Sequence, residues 1–294
     1  MTTATETFAH VIDSTWADVG ENLKVRRALP APRLNSLGPW VFLDHFGPLP
    51  TDPRGRGVPP HPHAGIETVT YLLEGGMAHR DSAGHQGRVE AGGVQWMTSG
   101  RGIVHAERPF DPAGGAEFSL HGMQLWTSLP RALKLIEPRY QRIDAKDVPS
   151  GEKNGATLRV LAGECTGLRG PAEVLMPLFL WHVALEAGAQ WQGRLPAGME
   201  AGVYVMAGDV AVGDDASVLR VGQLGILTEN STAEPQPITL RNDGTSLAHV
   251  ILLGGAPAEG PLVFHGPFVM NSVEQIRAAE KAYMTGRMGT LADA

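Results

Sequence analysis

Apolar residues along the chain come in short runs closed by glycine or proline, the signature of strands rather than helices. Trp40-Val-Phe-Leu43 lies between two Gly-Pro punctuations and predicts a short strand ended by Asp44 and His45, a pair suited to capping or hydrogen bonding. Residues 66–73 are rich in β-branched and aromatic side chains and turn at Glu74-Gly-Gly76. Residues 77–90 are more polar and read as a strand and hairpin, and 91–97 as a turn and strand. Ser99-Gly-Arg-Gly102 makes a tight turn, and 118–129 make a strand stopped by Pro130. With an early strand near Lys24, the first half predicts an antiparallel sandwich or barrel.

The charged, turn-rich residues 131–149 read as a link between domains. Beyond it the rhythm returns at 156–163, 175–185, 201–212, 225–227 and 247–253, without evident identity to the first half, and predicts a second barrel of the same kind. The tail differs. Asn271 to Met284 is dominated by helix formers, Ser272 and Gln275 make a capping box, and Val273, Ile276, Ala279 and Tyr283 share a face before Gly286 stops the helix. The expected division is therefore 1–135, 136–265 and a helical tail at 266–294.

Composition agrees: 37 of 294 residues are glycine and 22 are proline, which suits many short strands joined by turns. A net charge of -7 argues against direct nucleic-acid binding through a basic surface. Cys165 is the single cysteine, so no intrachain disulfide can form; it reads as a plain buried thiol, and the chain suits a reducing, cytoplasmic setting. The start, Met-Thr-Thr-Ala-Thr-Glu, lacks the features of a signal peptide, and no apolar run reaches the length of a membrane span. Neither a membrane nor a nucleic-acid partner is expected.

The chemistry concentrates at the two ends of one stretch. Pro60-His-Pro-His63 opens it and His105-Ala-Glu107 closes it. Side chains repeat with period two along a strand, so His61 and His63 share a face, as do His105 and Glu107. Should the two strands face one another inside a barrel, four ligands converge on a point. Three imidazoles and a carboxylate suit Fe(II), Mn, Ni, Cu or Zn better than Mg or Ca, and the lack of cysteine ligands argues against a closed structural zinc site. The plainer alternative is a satisfied polar cluster in the core. Glu67 also falls on the His61 and His63 face by strand parity, so periodicity leaves two carboxylates open. His182, His249 and His265 stand alone in the second half, which makes a second metal site unexpected.

Several motifs together carry a resemblance. They are Phe42-Leu-Asp-His-Phe-Gly-Pro48, Pro60-His-Pro-His63, Glu67-Thr-Val-Thr-Tyr-Leu-Leu-Glu-Gly75, the hairpin with His79, Asp81, Gly84 and His85, and Gln95 through Glu107. Gln124-Leu-Trp126 and Gly266-Pro-Phe-Val-Met-Asn271 extend the match over nearly the whole chain. The sequence resembles the pirin family of the cupin superfamily. That resemblance implies an all-β fold of two tandem cupin (jelly-roll β-barrel) domains with a C-terminal helix, the first barrel holding one non-haem divalent metal. Iron(II) is the first expectation; Mn, Ni, Cu, Co and Zn are the alternatives. By residue match the ligands are His61, His63, His105 and Glu107. Many cupins instead take a carboxylate four residues after His-x-His, where this chain has Glu67, which is kept as a residue supporting the ligands or replacing Glu107.

Two functions follow from the resemblance. One is a quercetin 2,3-dioxygenase-type enzyme that opens flavonols with O2 and releases carbon monoxide, with Glu107 as the proton-handling catalytic group. Phe42, Phe46, Met97 and Trp126 would then line a flat aromatic substrate. The other is a non-enzymatic, iron-dependent redox regulator that binds a transcription factor or a metabolic enzyme, sensing through the surface around the loop at 50–60. A metal-dependent isomerase or hydrolase is a third, weaker reading.

Overall fold

The computed structural model describes residues 7–20, 23–51, 57–115, 117–214, 216–228 and 234–292. The first six residues and positions 52–56 of the predicted loop at 50–60 lie outside these. The chain divides into two compact units interleaved along the sequence. One takes its described residues from Met1–Thr15, Ala28–Trp40 and Val148–Pro257; the other from Trp16–Arg27, Val41–Asp147 and Ala258–Ala294.

The unit that carries the histidine motifs is built from two antiparallel sheets. The larger has seven strands in the order Arg139–Ile143, Val94–Thr98, Ile66–Glu74, Phe118–Ser128, Trp40–Thr51, Leu23–Leu29, Thr15–Val19. The smaller has four, in the order Val58–His63, Ile103–Phe110, Gly76–Asp81, Gln86–Glu90. Phe46, Leu72 and Leu120 from the large sheet meet Met77 and Val89 from the small one in a buried cluster, so the core lies between the sheets. Each such fully buried side chain contributes about 1.5–3 kcal/mol.

Two sequence expectations change here. The strand predicted at 40–43 runs from Trp40 to Thr51, through Asp44 and His45, which are 2% and 1% exposed. Their polarity does not end the strand because it is satisfied inside the sheet: Asp44 accepts two hydrogen bonds from Arg27 on the neighbouring strand, at 2.8 and 2.6 Å. Likewise the predicted link contains the strand Arg139–Ile143, which pairs with Val94–Thr98 and brings Tyr140 into the unit.

The helix Val273–Met284 starts as its sequence predicts. Ser272 accepts from the Gln275 amide at 3.2 Å, and the Gln275 side chain reaches back to the amide of Asn271 at 2.9 Å. Ile276 and Ala279 bury against Ala64, Val104, Phe268 and Met270. Val273 and Tyr283, predicted on the same face, are 48% and 43% exposed. The contact centres on Ala279, six residues from Val273, which places Val273 about 120° round the helix.

The other unit repeats the plan. A seven-stranded sheet ordered Phe8–Asp13, Gln223–Leu227, Glu200–Ala207, Ala248–Gly255, Leu178–Leu185, Ala156–Ala162, Ser150–Lys153 accompanies a four-stranded one formed by Gln190–Leu195, Gln236–Arg241, Val210–Val212 and Ser217–Leu219. Trp181, Val203, Val250 and Leu240 belong to its buried core. The predicted all-β architecture of two barrels and a C-terminal helix holds. No helix among the described residues is long and apolar enough to cross a membrane.

Candidate metal centre

Val58–His63 is an edge strand of the small sheet, which is why it tolerates Pro59, Pro60 and Pro62: a proline has no N–H to give to a second neighbour. It pairs antiparallel with Ile103–Phe110, His61 opposite His105 and His63 opposite Ile103. The register shifts after His105, so Glu107 pairs with Val58. On its other side the same strand sets His105 opposite Asp81 and Glu107 opposite His79.

This register brings three predicted ligands together. The ligand nitrogens of His61, His63 and His105 all lie within 4.8 Å of one another. His61 Nε2 and His105 Nε2 are 2.9 Å apart. His61 Nδ1 stands 2.8 Å from the Pro59 carbonyl and His63 Nδ1 3.2 Å from that of Pro267. A carbonyl can only accept, so both rings carry their proton on Nδ1 and leave Nε2 as a lone pair. Two ligands about 2.05 Å from one cation at a right angle are roughly 2.9 Å apart, so the spacing fits a divalent metal ion. Burial, reinforced by the neighbouring histidines, holds His63 and His105 well below the usual imidazole range, as neutral ligands require.

Glu107 stands outside this tight group, one strand pair further along. The Thr70 hydroxyl is 2.9 Å from its Oε1 and 2.6 Å from Gln124 Oε1, and can donate its single proton to one at a time. Gln124 Nε2 is 3.5 Å from Glu107 Oε2. Glu67 is placed differently from what strand parity suggested. Gly65, at φ +77°, breaks the chain between His63 and the strand Ile66–Glu74, so Glu67 belongs to the other sheet. It is fully buried, and its two oxygens accept from Thr98 at 2.7 Å and Thr127 at 3.2 Å. Burial raises its pKa, against the pull of those hydrogen bonds.

Of the four suggested lining residues, Trp126 reaches the centre and Phe42 stands behind it. Trp126 meets His63 edge-to-face at 4.9 Å and stacks on Phe42 at 4.0 Å. Arg27 covers the far face of this aromatic pair, 4.5 Å from the Phe42 ring. Phe46 lies in the core and Met97 is buried, 1% exposed. A cleft of about 850 Å3 has Glu107, His79 and Pro59 in its wall, with Arg80, Arg88 and Arg108 around it.

Behind the triad stand residues to which the sequence assigned no role. His79 Nδ1 lies 3.4 Å from His105 Nδ1, and His79 Nε2 lies 3.0 Å from Asp81 Oδ2. Burial pushes the Asp81 carboxyl up, but hydrogen bonds from His79 and His85 prevail and hold it below the usual carboxylate range. The alternation His79-x-Asp81 mirrors the ligand motifs and was a readable signal; Thr70 and Gln124 lie in motifs quoted for the resemblance but without a role, and Tyr140 carried no signal. In the other unit His182 and His249, isolated in sequence, meet at 2.9 Å.

Comparison with known proteins places this geometry. The pirin description matches residues 22–127 and that of the pirin C-terminal cupin domain matches 180–289. Pirin of Rattus norvegicus is 37% identical over 273 residues, covering 92% of this chain and 89% of its own. A pirin-like protein of Solanum lycopersicum is 35% identical over 270 residues, covering 92% and 88%. The crystal structure of a quercetin 2,3-dioxygenase from Acinetobacter baumannii superposes with a TM-score of 0.87 at 30% identity, covering 98% of this chain and 100% of that one. The two barrels are therefore cupin domains, and the chain belongs to the pirin family.

Proposed function

We propose that this chain is a metal-dependent dioxygenase of the quercetin 2,3-dioxygenase type, acting on a flavonol, with the metal held by His61, His63, His105 and Glu107. Iron(II) is the metal we assign first. The observation that carries the reading is the convergence of three imidazoles on one point beside a carboxylate and an open cleft. The likeness to the structure of a quercetin 2,3-dioxygenase over 98% of this chain supports it.

When bound, the metal supplies Lewis acidity that lowers the pKa of a coordinated hydroxyl and favours the electron-rich enolate that reacts with O2. The remaining work falls to the chain's own residues. Glu107 accepts the proton released from the flavonol hydroxyl, on Oε2, while Thr70 orients Oε1. Arg80, Arg88 and Arg108 give the cleft a positive wall that favours an anionic, planar substrate. Trp126 offers an aromatic surface next to His63, and its Nε1 is buried with no hydrogen-bond partner among the described residues, a donor that a substrate oxygen would satisfy.

The test is anaerobic loading with Fe(II), then loss of flavonol absorbance and release of carbon monoxide in air, with His61→Ala as the control. Full occupancy without turnover across a panel of flavonols overturns this reading. That outcome would favour the second one, an iron-dependent regulator that binds a protein partner; its support is that the Rattus norvegicus and Solanum lycopersicum relatives are named as pirins without an activity.

A further inference from the structure

The three imidazoles of the triad are not oriented alike. His61 and His63 face main-chain carbonyls, which are present whatever side chain occupies Pro59 or Pro267. His105 instead faces a side chain, His79, ring nitrogen to ring nitrogen at 3.4 Å. The side chain of His79 is 2% exposed and that of Asp81 is wholly buried. Asp81 is fixed in turn: its Oδ1 takes the amides of Ala83 and His85, each at 3.0 Å, and its Oδ2 lies 2.9 Å from His85 Nδ1. Tyr140 lies flat on the His79 ring, at 4.5 Å and 14°, and its own hydroxyl is anchored on Gln95 Oε1 at 2.6 Å. Tyr140 therefore fixes the plane of the His79 ring, and a flip within that plane would lose the contact with Asp81.

We propose that His79, held by Asp81, is the positioning residue that sets the tautomer of His105. An ionised carboxylate only accepts, so Asp81 takes the Nε2 proton of His79 and leaves His79 Nδ1 bare. That bare nitrogen accepts from His105 Nδ1–H, and the Nε2 lone pair of His105 is then aimed at the point shared with His61 and His63. The chain Asp81, His79, His105 does with side chains what the Pro59 and Pro267 carbonyls do for the other two rings, and it is the one support of the three that a side-chain substitution removes. Outer partners of this kind alter metal affinity by about 10–100-fold when lost.

The inference rests on the triad being a metal centre, and Zn(II) binding by the wild-type protein tests that separately. The affinity of the full chain for Zn(II) is measured by competition with a chromophoric chelator for wild type, His79→Leu and His79→Gln. A glutamine amide can give an N–H to Asp81 and offer its oxygen to His105, whereas leucine can do neither. His79→Leu is expected to bind about 10–100-fold more weakly, with His79→Gln within about threefold of wild type. Long-range 1H–15N spectra of the Zn(II)-loaded wild type provide a readout that needs no variant: His79 is expected to carry its proton on Nε2 and none on Nδ1. A leucine variant that binds like wild type, a glutamine variant as weak as leucine, or a proton on His79 Nδ1 overturns the proposal. Should the leucine variant fail to fold, the spectrum of the wild type decides. A wild type that binds no Zn(II) overturns the metal centre itself and this inference with it.

Discussion

His61 Nε2 faces His105 Nε2 at 2.9 Å across an antiparallel strand pair, while the Pro59 carbonyl draws the His61 proton to the opposite side of its ring. Nothing in ordinary core packing calls for a lone pair to be aimed at two further imidazoles. What sets this cluster apart is that the outer nitrogens of His61 and His63 turn to main-chain carbonyls while the inner ones gather with that of His105 within 4.8 Å of one another.

Glu107 is the group through which binding and chemistry are expected to separate. Glu107→Gln keeps the shape and the contact with Thr70 but cannot accept a proton. Flavonol turnover in the Fe(II)-loaded protein is expected to fall by about 10²–10⁴, with metal affinity reduced less than by loss of a histidine. Steady-state kinetics paired with metal analysis check this, and unchanged turnover would remove Glu107 from the reaction.

Trp126 is expected to act on the substrate rather than on the metal. Trp126→Phe keeps an aromatic face towards His63 and Phe42 but removes the unpartnered indole N–H. Loss of one hydrogen bond of about 0.5–1.5 kcal/mol raises KM roughly two- to tenfold, at unchanged metal content. Equal KM values for the two proteins would contradict the assignment.

Lys134 is fully buried and gives its three protons to the carbonyls of Gly65 and Val269 and to Ser128 Oγ, each at 2.8 Å. It thereby clamps the turn that follows His63 to the segment next to Pro267, whose carbonyl orients that histidine. Lys134→Met leaves buried acceptors unpaired and is expected to destabilise the fold by about 3–5 kcal/mol, read by denaturant unfolding. A loss under about 1 kcal/mol would show that water replaces the clamp.

Acid sensitivity is expected from a histidine pair away from the triad. His45 is buried against His121 at 2.9 Å, and burial first, then the charges of His121 and Arg26, lower its pKa to about 3. Unfolded, the ring takes a proton near 6.5. Between these values the unfolded chain binds the extra proton, so stability rises with pH and is lost as pH falls below about 6.5, by about 1.4 kcal/mol per pH unit from this group. Unfolding free energies of metal-free protein at several pH values, compared with His45→Asn, measure the term; an unchanged slope in the variant would contradict it.

What could be read from the sequence divides along physical lines. His61, His63 and His105 were legible because strand parity is local, and Gly and Pro mark where each strand stops. The cap of the final helix was legible for the same reason. The position of Glu67 was not, since parity carried from His63 to Glu67 assumes an unbroken strand, and Gly65 interrupts it. Pairings between distant segments leave no local mark: Phe8–Asp13 pairs with Gln223–Leu227, and Tyr140 reaches His79 from what reads as a charged link. Asp44 and His45 read as a strand end because their partners, Arg27 and His121, lie on other strands.

The most direct test of the account is the number of metal ions held per chain. The wild-type protein, loaded anaerobically with Fe(II) and freed of excess, is predicted to hold one ion per chain by elemental analysis, and His61→Ala and His105→Ala close to none. Equal iron in the wild type and both variants would contradict the triad as the metal centre.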